Sequence, residues 1–191
     1  MTKKLFIFGD SFAAKRNSID QNLGWPELLT NDYTVTNFAE CGVGEYKILK
    51  QIESVDLQQA DKILISHTSP FRVYVKDHPI HNTSSTHNNC DIIFSDIEQL
   101  EDDFSRSCKL YFKYIFDEQY AIDIHNLICE KIHAVTQQLS VLHITHFDYS
   151  TLYNFTPMLN FYEHWQKNKG SVNHYSLKGN QYVYDQIKGN L

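Results

Sequence analysis

Glycine, proline and cysteine are all scarce in this chain: seven, four and four among 191 residues. So little glycine and proline excludes a collagen-like repeat or a long low-complexity linker. Cys41, Cys90, Cys108 and Cys129 contain no Cys-x-x-Cys pair, which removes the zinc-ribbon and thioredoxin-type readings. Reduced thiols are expected. Basic side chains are also in deficit, 17 against 23 acidic ones, for a formal net charge of −6. With no cluster of lysine or arginine, that balance argues against a nucleic-acid partner, whose phosphates require a basic patch. Long apolar runs are missing too. Leu5-Phe6-Ile7-Phe8 is far shorter than the roughly 18 residues of a membrane span, and too short for a secretory leader. The cytoplasm is the expected location.

What is present suits a folded core. The chain is 42% hydrophobic and 14% aromatic, enough to exclude disorder, and its length matches one domain of about 100–200 residues. No internal repeat interrupts it, so residues 1–191 are read as a single domain.

Lys3 to Phe8 is a continuous apolar run ending in Gly9-Asp10-Ser11, as expected of a strand buried on both faces of a parallel sheet. Trp25-Pro26-Glu27 reads as a helix start with proline in its first turn. Tyr33 to Ala39 is a second strand, and Gly42-Val43-Gly44 turns the chain into a helix with Ile48, Leu49, Ile52 and Val55 on one side. Ile63-Leu64-Ile65 is a third strand and opens into His67-Thr68-Ser69-Pro70. Residues from about 75 to 90 form a polar excursion rich in His, Asn, Ser and Thr. Asp91 to Leu139 is helical with a break near Phe116-Asp117, its apolar stripe running through Ile124, Leu127, Ile128, Ile132, Val135 and Leu139. Val141 to Ile144 is a fourth strand. Ser176 is placed to cap a last helix carrying Tyr182, Val183 and Ile187. Alternating strands and helices predict a three-layer α/β/α sandwich with a mainly parallel, flavodoxin-like sheet. Ligands of such sheets bind at the carboxyl ends of the strands.

Ser11 stands at such an end. Gly9 permits the tight turn, and a helix beginning just after it would aim backbone N–H groups at an oxyanion. A serine needs a base to act as a nucleophile. His174 offers one, in the loop Asn173-His174-Tyr175-Ser176 before the last helix.

The order of these blocks resembles the SGNH/GDSL hydrolase family, serine esterases and lipases that join Gly-Asp-Ser after the first strand to a C-terminal histidine block. Asn37-Phe38-Ala39-Glu40-Cys41-Gly42 resembles the family block whose glycine N–H contributes to the oxyanion hole. The resemblance implies that Ser11 is the nucleophile and His174 the general base, with the N–H groups of Ser11 and Gly42 in the oxyanion hole. It implies small acyl esters as substrates, O-acetylated carbohydrate among them, and no cofactor. Two departures stand out. The family's aspartate three residues before its histidine is Ser171 here, and disabling that carboxylate in a serine protease costs on the order of 10⁴ in rate. The family's Gly-x-Asn-Asp block is also absent after the third strand. Thr68 and Ser69 there are candidate hydroxyl donors in its place, and Asp10 and Arg72 are read as substrate-facing groups. An acyltransferase using the same Ser–His pair, and a non-catalytic binding protein on a degenerate hydrolase scaffold, stay open beside the esterase. Oligomeric state is unspecified.

His78-x-x-His81 and His87-x-x-Cys90 have a spacing that could build a zinc site. Histidine is abundant here and two-residue gaps arise easily, so a polar loop with a substrate contact is expected instead, and no metal. His125, Cys129 and His133 share a helix face and are read as edge-of-core packing. Gly42-x-Gly44 departs from a dinucleotide fingerprint because Lys47 holds the third glycine position. The aromatic segment from Tyr149 to Trp165 is expected to pack over the sheet. Asp96 to Asp103 reads as a solvated helical face.

Overall fold

Alternation along the strands organises the molecule. In the computed structural model, which describes residues 2–15, 24–78, 80–81, 83–85, 87–148, 158–170 and 174–191, the chain forms five parallel strands. These are β1 (Lys4–Gly9), β2 (Thr34–Asn37), β3 (Lys62–His67), β4 (Val141–Thr145) and β5 (Met158–Asn160), in the order β2-β1-β3-β4-β5. Leu5, Ile7, Leu64, Leu142 and Ile144 point to one face, where they pack with Trp25, Leu29, Val183 and Ile187. Phe6, Phe8, Ile63 and Ile65 point to the other and meet Ile48, Leu49, Ile52 and Ile132. Because successive strand side chains face opposite ways, both faces carry apolar residues and both must be covered.

Helices supply that cover. α1 (Trp25–Leu28) and α7 (Leu177–Asn190) lie on the first face; α2 (Glu45–Glu53) and α5 (Glu118–Thr136) lie on the second. The remaining helices among the described residues are α3 (Phe94–Ile97), α4 (Asp103–Tyr114) and α6 (Tyr162–Lys167). This is the predicted three-layer, flavodoxin-like α/β/α sandwich. The Ser176 side chain caps α7 by accepting from Gly179 N at 3.3 Å. The predicted break near Phe116-Asp117 separates α4 from α5, with Asp117 capping the latter. No helix of the described residues is long and apolar enough to cross a membrane.

Two local expectations fail, and one strand was not anticipated. No helix starts directly after Ser11: residues 11–13 are a turn, in which Ala13 N and Ala14 N donate to Asp10 O at 3.0 and 2.9 Å and the Asp10 carboxylate accepts from Phe12 N at 3.1 Å. The stripe expected on α5 is rotated. Leu127 is 60% exposed and Val135 44%, whereas His125, Cys129, Ile132 and Thr136 are buried. β5, three residues long, carries too short a pattern to stand out in the sequence. Of the aromatic segment, Phe161 enters the core with Trp165 packed against it, while Tyr149, Tyr153 and Phe155 lie outside the described residues. The acidic run is exposed at Asp96, Glu98, Glu101, Asp102 and Asp103, and Asp102 caps α4.

Candidate active site

β1 has β2 on one side and β3 on the other, so the chain leaves the sheet in opposite directions there. The resulting crevice at the strands' carboxyl ends is where this architecture binds ligands. Gly9-Asp10-Ser11 ends β1 and His67-Thr68-Ser69 ends β3.

The turn holding Ser11 is braced from several directions. Gly9 adopts φ +152°, and a Cβ there would stand 2.7 Å from Ser66 Cβ, so any other residue would collide with β3. The Gln51 side chain donates to Gly9 O at 3.2 Å and accepts from Gly9 N at 3.0 Å. Asn37 donates to Ala13 O at 2.7 Å, tying the end of β2 to the same turn. Ser11 itself stays half-exposed.

His174 comes to this turn from the far end of the chain. Its ring centroid lies 5.2 Å from that of Phe12, the residue after Ser11. Phe12 also stacks on His146 at 4.5 Å and meets Trp165 edge-on at 5.7 Å. The N-terminal Gly-Asp-Ser block and the C-terminal histidine block therefore share one corner of the sheet. Ser171, the position of the missing family aspartate, lies outside the described residues.

Of the two residues read as substrate-facing, Asp10 is corrected to a brace. Asp10 is fully buried; its carboxylate accepts from Phe12 N and, at 3.0 Å, from the Thr68 hydroxyl. Burial pushes the Asp10 carboxyl up to about 6, against the opposing charge of Arg72. Arg72 donates to Thr68 Oγ1 at 3.2 Å and to Gly42 O at 2.9 Å, so its guanidinium is spent partly on the protein itself. Thr68 is likewise corrected as an oxyanion donor: its hydroxyl proton goes to Asp10 and its N–H to Glu45 Oε2 at 3.1 Å. Ser69, by contrast, lines a cavity of about 310 Å³ together with Arg72, Tyr111, Phe116, Ile124 and Ile128. Gly42 adopts the left-handed φ of +71° that the Gly42-Val43-Gly44 turn requires.

Beside this corner lies a polar network that sequence reasoning missed. His67 Nδ1 meets Glu45 Oε1 at 2.7 Å and His67 Nε2 meets His143 Nδ1 at 2.9 Å, all three side chains being buried. A carboxylate at Nδ1 assigns the proton to that nitrogen, which leaves Nε2 to accept from His143 when His67 is neutral. Burial pushes the Glu45 carboxyl up, but the charge and hydrogen bond of His67, with help from His125 and Thr68, outweigh it and hold the group below its usual value. His143 is pushed down to about 3, first by burial and then by the charge of His67. His146 is also pushed down to about 3 by burial and by His174. His146 Nδ1 meets the Tyr175 hydroxyl at 2.8 Å, and its buried Nε2 has no hydrogen-bond partner. His67 closes β3 and His146 follows β4. Attention to strand ends alone would have drawn notice to both.

Among the described residues two groupings have metal-compatible spacing: Glu45, His125 and Cys129, and separately His78, His81 and Cys90, the donor atoms of each set lying within 4.8 Å of one another. The first overlaps the polar network, so its carboxylate is already held by His67 and Thr68. Lys47, where a dinucleotide fingerprint would need glycine, is buried in an ion pair with Asp91 at 2.8 Å.

Compared with protein-family models and with curated proteins, the chain matches none.

Proposed function

We propose that this chain is a serine hydrolase of the SGNH/GDSL type. Within that class we assign it to the esterases and deacetylases that act on small acyl esters, O-acetylated carbohydrate included. The observation that carries the reading is the meeting of the two blocks at one sheet corner, with the His174 ring 5.2 Å from the ring of the residue after Ser11.

Ser11 Oγ attacks the ester carbonyl while His174 takes its proton, then passes it to the leaving alcohol. The N–H groups of Ser11 and Gly42, with the Ser69 hydroxyl, hold the developing oxyanion. Water then releases the acid from the acyl-serine. Asp10, Thr68 and Arg72 hold the turn and the Gly42 loop at a fixed separation. No cofactor enters these steps. Cys90 and Cys108 are free thiols, as suits a reducing compartment such as the cytoplasm.

The apolar wall of the cavity beside Ser69 favours a second reading, transfer of the acyl group to a bound alcohol or sugar, because an enclosed acceptor competes better with water. A fluorophosphonate probe tests the chemistry common to both. We expect covalent labelling of Ser11, and loss of p-nitrophenyl ester turnover in Ser11→Ala and nearly so in His174→Ala. Folded protein that takes no label and turns over no ester would instead be a binding protein on this scaffold. Acetate release against transfer to added glycan separates the two enzymatic readings.

A further inference from the structure

The excursion at residues 75–90 returns to the sheet edge through an isolated bridge between Val73 and Ile92. It is built from turns, yet it buries two residues that rarely sit inside a polar loop: His78, 1% exposed, and Cys90, 3%. A loop does not bury an imidazole and a thiol for their own sake, since each gives up water and must recover hydrogen bonds inside. His78 recovers little. Its Nδ1 receives two long contacts from Ile80 N and His81 N, each at 3.3 Å, and its Nε2 is buried without a hydrogen-bond partner among the described residues. The His78 and His81 rings are stacked, with centroids 4.6 Å apart and 29° between their planes. A fourth candidate donor, His87, stands beside them with its ring centroid 5.8 Å from that of His81.

We infer that His78, His81 and Cys90 form a transition-metal site, with zinc as its natural occupant, that fastens the excursion behind the Gly42 loop. Two imidazoles and a thiolate match the borderline-soft preference of zinc, and their donor atoms already lie within 4.8 Å of one another. Binding through His78 Nε2 moves the ring proton to Nδ1, giving up two weak contacts for one coordinate bond. Cys90 enters as a thiol, whose proton burial holds on, to about 11. The metal displaces that proton to solvent as the Sγ–metal bond forms, with no change of oxidation state.

The position of Cys90 gives the site its consequence. A Cβ on Gly42 would stand 2.6 Å from Cys90 Cβ, so the thiol sits directly behind the turn assigned to the oxyanion hole. Asp91, the next residue, accepts from Gly44 N at 2.7 Å and from Val75 N at 3.1 Å while paired with Lys47. A metal on Cys90 thus stiffens the floor of that loop. It is a structural site, and it stands whether or not Ser11 proves to be a nucleophile.

Chelator-stripped full-length protein titrated with Co²⁺ alone provides the test. We expect one equivalent bound, release of a proton per metal, and a thiolate-to-cobalt charge-transfer band that Zn²⁺ abolishes. The band should vanish in Cys90→Ser and persist in Cys129→Ser and Cys108→Ser. His81→Ala, which alters a half-buried position and spares the core, should weaken Co²⁺ binding by on the order of 100-fold or more. No charge-transfer band, a band that survives Cys90→Ser, or an unchanged affinity in His81→Ala overturns the inference.

Discussion

Acidification from pH 7 to pH 5 should cost this protein a large part of its stability. The cause is the pair of buried neutral rings, His143 and His146, both held near 3 in the folded state against 6.5 in an unfolded chain. Above pH 6.5 both states leave these rings neutral and nothing is lost. Below it the unfolded chain binds protons that the folded state refuses, so stability falls as the pH drops from 6.5 towards 3. One pH unit on one ring is worth about 1.4 kcal/mol. By pH 5 each ring has therefore cost about 2 kcal/mol, and the two together about 4. Asp10 works in the opposite direction. Its folded value near 6 lies above its unfolded 3.8, so the folded state takes up the proton first and gains about 1.4 kcal/mol by pH 5. The net loss is about 3 kcal/mol, against a total of about 5–15 kcal/mol for a domain of this kind.

Urea denaturation at the two pH values measures it. With a slope of about 1–3 kcal/mol per molar urea, the midpoint should fall by about 1–3 M. His146→Phe isolates one ring. Phenylalanine can keep the stacks on Phe12 and Phe161, at 4.5 and 5.7 Å, while removing the titration. Its stability at pH 7 will differ because the Tyr175 hydroxyl loses its partner, but the difference between pH 7 and pH 5 should shrink by about 2 kcal/mol. A midpoint that does not move on acidification, or an acid loss as large in His146→Phe as in the wild type, refutes the reasoning.

Glu45→Gln should be expensive although it is isosteric. The amide can accept from only one of His67 Nδ1 and Thr68 N and turns a donor towards the other, a cost of about 3–5 kcal/mol for breaking a buried charged network. At about 2–4 °C per kcal/mol for a chain of this size, calorimetry should find the melting temperature lower by about 6–20 °C. Since Glu45 is held below 4.5, its contribution is complete above that pH and lost below it, so the variant's deficit should narrow in strong acid. Gly42→Ala strains a left-handed backbone and drives a methyl into Cys90; a loss of about 2–3 kcal/mol in chemical denaturation is expected, together with a fall in ester turnover. An unchanged midpoint there would mean that the turn tolerates a side chain.

The parts of the fold that could be read from sequence are those where one physical demand acts alone. β1, β3 and β4 are buried on both faces, and a run such as Leu5-Phe6-Ile7-Phe8 has no competing explanation. Ser176 caps α7 through its own side chain, a contact three residues long. The Gly-Asp-Ser turn and His174 were legible by their place relative to such elements. Thr68 and Asp10 were misread because their types suit a ligand as well as they suit each other, and only the fold reveals that they satisfy one another. Glu45 and His143 left no local trace, and His67 only its place at a strand end: single polar residues inside apolar patterns look like surface positions until three elements bring them within 3 Å.

The rotation of α5 follows from that same network. Burying Leu127 and Val135 in place of His125 and Cys129 would gain about 1.5–3 kcal/mol for each side chain fully covered. The helix forgoes this because a carboxylate sealed against the sheet must be surrounded by polar groups, and leaving Glu45 partly unmet costs more than exposing two apolar residues. His125 Nδ1 stands 3.9 Å from Glu45 Oε2, and Cys129 Sγ lies 3.8 Å from His67 Nδ1. Turning those residues inward carries Ile124 and Ile128 to the wall of the cavity beside Ser69 and Arg72. That rotation of the helix about its axis therefore does two things: it completes the shell around a buried charge, and it supplies the apolar wall of the cavity that the proposed function assigns to an ester or an acceptor alcohol.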